Sequence, residues 1–181
     1  MPPWWARSWR TWRWTAGPLT TSPCSARRAS PVIEPARVLP TLYIGAAPAT
    51  RDDAALLARR GVSAVLSLQT DGDLRNLGLT WEVVLGWYRR EGLAAERVPI
   101  EDWSPEAVIA HLSQAVEALE RLLDAGHTVY LHCTAGVNRS PSVALAYLRR
   151  IRREPLGRAL ARITRSRPQA QPYPEVLALL R

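Results

Sequence analysis

A chain of 181 residues, 47% of them apolar, fits one domain with tails and can bury a core without disulfide or metal staples. Its net charge of +8 admits a nucleic-acid or anionic-surface partner, but no nucleic-acid fold signature accompanies that charge. Two cysteines, Cys24 and Cys133, are too few for a disulfide framework, and no apolar run is long enough to cross a membrane as a helix.

The charge is unevenly placed. Residues 1–37 hold six arginines against Glu34, and residues 149–181 hold nine against Glu154 and Glu175. Residues 38–148 carry thirteen acids against nine arginines, so the middle of the chain is mildly acidic. A solvated arginine-rich helix face and a loose tail are expected, with no specific nucleic-acid partner. The basic C-terminal flank could steer phosphorylated substrates.

Residues 1–36 read as a disordered extension, in which five tryptophans alternate with arginines before Ser, Thr and Pro take over. No apolar stretch follows the charges as a secretory signal requires. The folded domain is expected over residues 37–181. Val38 to Gly45 reads as an edge strand broken at Pro40. Thr50 caps a helix that Gly61 closes, and Val62 to Leu68 follows as a buried strand. Gln69 to Gly78 reads as a polar loop, and Thr80 caps a helix to about Glu91. Leu93 to Ile100 is a further strand. Ser104-Pro105-Glu106 starts a helix to about Ala125, with Val108, Leu112, Ala115, Leu119 and Leu122 on one stripe. After a short strand at Thr128 to Leu131 come helices to about Arg153, from Pro155 to about Ser166, and after Pro174. Alternating strands and helices imply an α/β fold, a central mostly parallel sheet flanked by helices on both faces. Its ligand site belongs at the carboxyl ends of the strands.

The chain is organised around His132-Cys133-Thr134-Ala135-Gly136-Val137-Asn138-Arg139-Ser140-Pro141. A cysteine ends a buried strand, a loop follows, and an arginine opens a helix. This points several N–H groups and the positive end of a helix at one spot, which suits an anion. A cysteine beside a helix N-terminus and an arginine favours its thiolate form. An anion-binding loop that carries a thiolate suggests attack on phosphorus.

Cys133 and Arg139, five residues apart and followed by Ser140, resemble the signature of cysteine-dependent phosphatases. His132, Ala135 and Gly136 narrow the resemblance to the dual-specificity branch. The run from Gly126 to Val137 looks most like the laforin and plant starch-excess glucan phosphatase group. The resemblance covers about Val38 to Leu180 and implies the single-domain cysteine-phosphatase fold.

On this reading Cys133 is the nucleophile, and Arg139 grips two phosphate oxygens with its planar fork. The amides of Thr134, Ala135, Gly136, Val137, Asn138 and Arg139 cradle the rest, with Gly136 allowing a turn that a side chain would obstruct. Ser140 can donate to the sulfur, or cap the following helix. His132 braces the loop. Glu101 and Asp102 are both candidates for the acid that protonates the leaving group; the resemblance favours Asp102. Trp103 could stack on a phosphotyrosine ring or a sugar, or cover the loop. Asp71 and Asp73 read as caps and turns, and Trp81 and Trp87 as core. Asn138 and the stretch Arg75-Asn76-Leu77 depart from the glucan-phosphatase pattern.

The expected protein is a cytoplasmic, monomeric phosphatase acting on phosphoproteins without metal or cofactor. Phosphorylated storage polysaccharide is the alternative substrate, and a phosphate-binding module without turnover is the non-enzymatic alternative.

Overall fold

The computed structural model describes residues 33–181. The expected extension and Cys24 therefore lie outside the described residues, apart from its last four positions. Of those four, Ile33 and Glu34 are tied to the body: Ile33 is buried, its amide donates to Asp53 at 3.4 Å, and the Glu34 carbonyl accepts from Arg167 at 3.3 Å. The body thus includes residues before the expected boundary at 37, because Ile33 fills a gap in the apolar cluster around Leu57 and Tyr130.

Five strands form one sheet in the order β1-β2-β5-β3-β4. β1 (Ala36–Leu39) and β2 (Leu42–Gly45) form an antiparallel hairpin, with the break falling at Pro40 and Thr41. β3 (Ala64–Ser67), β4 (Ala94–Arg97) and β5 (Val129–His132) continue the sheet in parallel from β2. β5 lies in the middle, paired to β2 on one side and β3 on the other.

Side chains alternate across this sheet as strand geometry demands. Leu42, Ile44, Ala64, Leu66, Val129 and Leu131 face one apolar cluster, while Tyr43, Val65 and Tyr130 face the other. The second cluster is closed by α1 (Arg51–Arg59) and α3 (Trp81–Arg90). The first is closed by α4 (Pro105–Asp124), α5 (Arg139–Arg150), α6 (Leu156–Ser166) and α7 (Pro174–Leu179). The expected α4 stripe, Val108, Leu112, Ala115, Leu119 and Leu122, is buried throughout. Each such leucine contributes roughly 1.5–3 kcal/mol by leaving water.

Three expectations need correction. Residues 69–78 are not all loop: α2 (Asp71–Asn76) lies there, with a capping box between Thr70 and Asp73. Gly72 and the run of polar residues hide this short helix from periodicity. The fourth strand covers Ala94–Arg97 only, although the Val98 and Ile100 amides still donate to the Ser67 and Leu68 carbonyls at 2.9 and 3.1 Å beyond its end. α5 stops at Arg150 rather than Arg153, which adopts a left-handed φ of 57°. Trp81 and Trp87 do pack against the core, and Trp81 meets Tyr88 edge-on with ring centres 6.4 Å apart. No helix of the described residues is long and apolar enough to cross a membrane.

Candidate active site

All four residues of β5 are buried, so the sheet delivers Cys133 to the strand's carboxyl end within a fixed frame. Cys133 is itself buried. Its Sγ accepts from the Gly136 amide at 3.2 Å and from the Ser140 hydroxyl at 3.5 Å. Ser140 does not cap α5: the cap position is Asn138, whose side chain donates instead to the Gln171 carbonyl at 2.8 Å. The first turn of α5 therefore presents amides with no side-chain cap beside the sulfur.

The loop's carbonyls are held from outside. The Thr134 carbonyl accepts from the Ala47 amide at 3.0 Å, and the Val137 carbonyl from the Gln171 amide at 2.7 Å. Arg167 takes the two between them, donating from Nη2 to Ala135 at 2.9 Å and from Nε to Gly136 at 2.7 Å. In a trans peptide the C=O and the following N–H point in opposite directions. Carbonyls turned outward at positions 134–137 thus turn the amides of Ala135, Gly136, Val137 and Asn138 inward.

Close packing behind the loop fixes this arrangement. Gly136 has φ +68°, and a Cβ there would collide with the Gly45 carbonyl and come within 2.7 Å of the Ala46 nitrogen. Gly45 in turn lies against the Tyr130 hydroxyl, which donates to the Ala46 carbonyl at 2.6 Å.

Arg139 is fully buried and heavily engaged. Nη1 donates to Asp73 Oδ2 at 2.7 Å and to the Ile100 carbonyl at 2.8 Å. Nη2 meets Asp102 Oδ2 at 2.7 Å, the Thr134 hydroxyl at 3.0 Å and Asp73 Oδ1 at 3.3 Å. Burial opposes its charge, but hydrogen bonding to Asp73 and the negative charges of Cys133, Asp102 and Asp73 raise its pKa above the ordinary arginine value. Burial likewise pushes Asp73 up, yet Arg139 and the Thr70 amide outweigh it and hold that carboxyl below the usual range. Among the described residues the buried Nε of Arg139 has no hydrogen-bond partner, leaving one donor of the fork free for an oxyanion.

A pocket of about 100 Å³ opens over the sulfur, lined by Asp102, Trp103, Cys133, Ala135, Val137 and Asn138. Glu101 is exposed and does not line it. The Thr134 side chain turns away toward Arg139 and the Gln69 amide. Trp103 stands at the rim, 85% exposed, with a left-handed φ of 59°. Its amide donates to Asp102 Oδ1 at 3.0 Å.

His132 is buried and neutral. Its Nδ1 lies 3.2 Å from the Cys133 carbonyl, an acceptor only, so Nδ1 carries the proton. Nε2 then accepts from the Tyr88 hydroxyl at 3.2 Å. Burial, seconded by the charge of Arg139, brings the His132 pKa down to about 4, although the Cys133 carbonyl opposes the change.

The structure thus brings Cys133, Arg139, Ser140, Asp102, Trp103 and the loop amides together. Sequence reading missed four contributors, the Ala47 amide behind Thr134 among them. Asp73 looked like a helix cap, which it also is. Arg167 and Gln171 come from beyond α6, and only the fold places them behind the loop. The single clue was an arginine next to Pro168 where a helix must end.

Inward amides, a buried arginine with a free donor and a sulfur at the floor define an oxyanion site of the cysteine-phosphatase kind. The family model described as dual specificity phosphatase, catalytic domain, matches residues 42–181, and the chain belongs to that family. It is 34% identical to laforin of Mus musculus over 123 residues, which is 62% of this chain and 37% of laforin. It is 34% identical to dual specificity phosphatase 28 of Homo sapiens over 149 residues, 81% of this chain and 76% of that protein. The crystal structure of human DUSP28 superposes with a TM-score of 0.62 at 30% identity, covering 84% of this chain and 94% of that one. Phosphoglucan phosphatase LSF1 of Arabidopsis thaliana shares 27% identity over 112 residues, 62% of this chain and 19% of that protein. The chain therefore spans well under half the length of laforin and LSF1.

Proposed function

We propose that the chain hydrolyses phosphomonoesters through a cysteinyl-phosphate intermediate, with phosphorylated proteins as substrates. One observation carries the reading: the buried Cys133 sulfur accepts two hydrogen bonds on the floor of a pocket that Asp102 also lines. Sγ attacks phosphorus while the P–O bond to the leaving group breaks. Asp102, having turned from Arg139 into the pocket, supplies the proton to the departing oxygen. Water then attacks the phosphocysteine, gives its proton to Asp102, and the S–P bond breaks. The Ser140 hydroxyl steadies the departing thiolate, and the loop amides with Arg139 hold the charge of the PO₃ group throughout.

The rim favours protein substrates. Trp103 is the one strongly exposed aromatic of the described residues, suited to stack on a single ring. Trp81 and Trp87, which might have extended a sugar platform, are spent on the core. The likeness to a protein named as a phosphoglucan phosphatase keeps glucan as the second reading. A monomer in a reducing compartment such as the cytoplasm suits a catalytic thiol.

Hydrolysis of p-nitrophenyl phosphate in the presence of a chelator tests the chemistry. Turnover is expected, with Cys133→Ser inactive and Asp102→Asn reduced by ~10²-fold or more. Tight phosphate binding without turnover would instead indicate a capture module. Phosphate release from a phosphotyrosine peptide compared with amylopectin then separates the two substrate classes.

A further inference from the structure

Arg167 is a buried cation that the mechanism above does not use. It is 6% exposed, and its hydrogen bonds among the described residues go to three main-chain carbonyls: Ala135, Gly136 and Glu34. None of the ion pairs among the described residues includes it. An unpaired buried charge is costly unless something else compensates it. The direction of its hydrogen bonds says what that is.

We infer that Arg167 is a positioning residue: its guanidinium sets the orientation of two loop peptides and so aims their amides at the bound phosphate. The inference rests on the phosphatase reading. The peptide linking Ala135 to Gly136 gives its oxygen to Nη2, and its N–H reaches the Cys133 sulfur at 3.2 Å. The next peptide gives its oxygen to Nε at 2.7 Å and turns the Val137 amide into the cradle. Each peptide unit is a dipole lying between a cation behind the loop and an anion in front of it. Both ends polarise it in the same sense, so the positive charge of Arg167 is felt at the site through two amides. Hydrogen bonds to a charged group are about twice as strong as neutral ones, which suits them to resist a peptide flip. The carbonyls of Thr134 and Val137, by contrast, are held by neutral amides only. The planar fork matters as well, because Nε and Nη2 address adjacent carbonyls at once, a geometry that an ammonium group cannot copy.

The test uses the whole chain carrying Arg167→Met, Arg167→Lys or Arg167→Ala, with circular dichroism and thermal midpoints to establish that each is folded. The readout is the inhibition constant for tungstate, alongside KM and kcat for p-nitrophenyl phosphate. For Arg167→Met we expect tungstate affinity to fall at least tenfold and KM to rise with it. Arg167→Lys should recover only part of the loss. Added methylguanidine should restore oxyanion binding to Arg167→Ala, whereas methylammonium at the same concentration should not. Unchanged tungstate affinity in a folded Arg167→Met protein, or rescue by methylammonium equal to that by methylguanidine, overturns the inference. If the variants fail to fold, the wild-type protein still decides. Its Arg167 Nε–H resonance should exchange slowly and shift on tungstate addition, and a freely exchanging, unresponsive signal overturns the inference. Failure of the wild-type protein to bind tungstate or turn over substrate would defeat the phosphatase reading instead, so the two failures are separable.

Discussion

Arg139 and Asp73 meet through two contacts, Nη1 to Oδ2 at 2.7 Å and Nη2 to Oδ1 at 3.3 Å, and so tie the first turn of α5 to α2. Asp73 thereby joins two jobs in one carboxylate, since Oδ2 also accepts from the Thr70 amide at 2.9 Å.

Replacing Asp73 by Asn should remove the charge and leave Arg139 dependent on Asp102. We expect a stability loss of about 1–3 kcal/mol, the usual cost of weakening a buried hydrogen-bonded charge. The sign with pH follows from the lowered pKa of Asp73. Its contribution is present above the unfolded carboxylate value of about 4 and is lost as pH falls through the lower folded value. Urea midpoints of wild type and Asp73→Asn should therefore differ at pH 7 and converge toward pH 3. A gap of equal size at both pH values would show that the charge is not what matters.

His132 predicts a second acid sensitivity in a different window. Its folded pKa of about 4 lies below the ordinary 6.5, so the unfolded chain binds its proton first. Stability from this group is complete above pH 6.5 and declines as pH falls toward 4, by roughly 3 kcal/mol at most. His132→Gln should be weaker at pH 7, yet lose less on going from pH 7 to 5. A steeper loss in the variant contradicts the neutral, buried assignment.

Gly136 in the loop and Gly45 behind it should fail differently. Gly45→Ala pushes a methyl group against the Tyr130 ring and hydroxyl, costing about 1–3 kcal/mol by overpacking. Tyr130→Phe removes the worst of that collision, so the double variant should recover part of the thermal midpoint. Gly136→Ala collides with backbone and also forces a left-handed φ on alanine. No side-chain change should rescue it, and tungstate binding should go with it.

Trp103 sets stability against substrate capture. Its left-handed φ strains a non-glycine residue by about 1–2 kcal/mol, while its indole is largely in water. Trp103→Gly should be at least as stable as wild type, yet show a raised KM for aryl phosphates. Heat denaturation and steady-state kinetics on one preparation check both halves, and an unchanged KM would remove Trp103 from the rim's function.

Much of this is legible in the amino-acid sequence alone. The parallel sheet, the α4 stripe and the Cys133–Arg139 loop follow from local signals, apolar period, caps and spacing, which read out over a few residues. α2 was not legible, because six residues with four polar side chains, one glycine and a single leucine have no periodicity to detect. The ligands of the loop's carbonyls were not legible either. Ala47, Arg167 and Gln171 serve by where the fold carries them, and Pro168 beside Arg167 marks a helix end without announcing that role. Asp73 shows the middle case: its capping role is local, while its grip on Arg139 crosses 66 positions.

The strand that carries the cysteine is paired along both edges, and nothing at its end can shift without tearing two ladders at once. The floor of the pocket is therefore close to immovable, while Trp103 and its neighbours sit on an exposed turn outside the sheet. Retuning such a protein toward a new phosphoester thus calls for rewriting a few rim positions, with the reactive centre inherited intact.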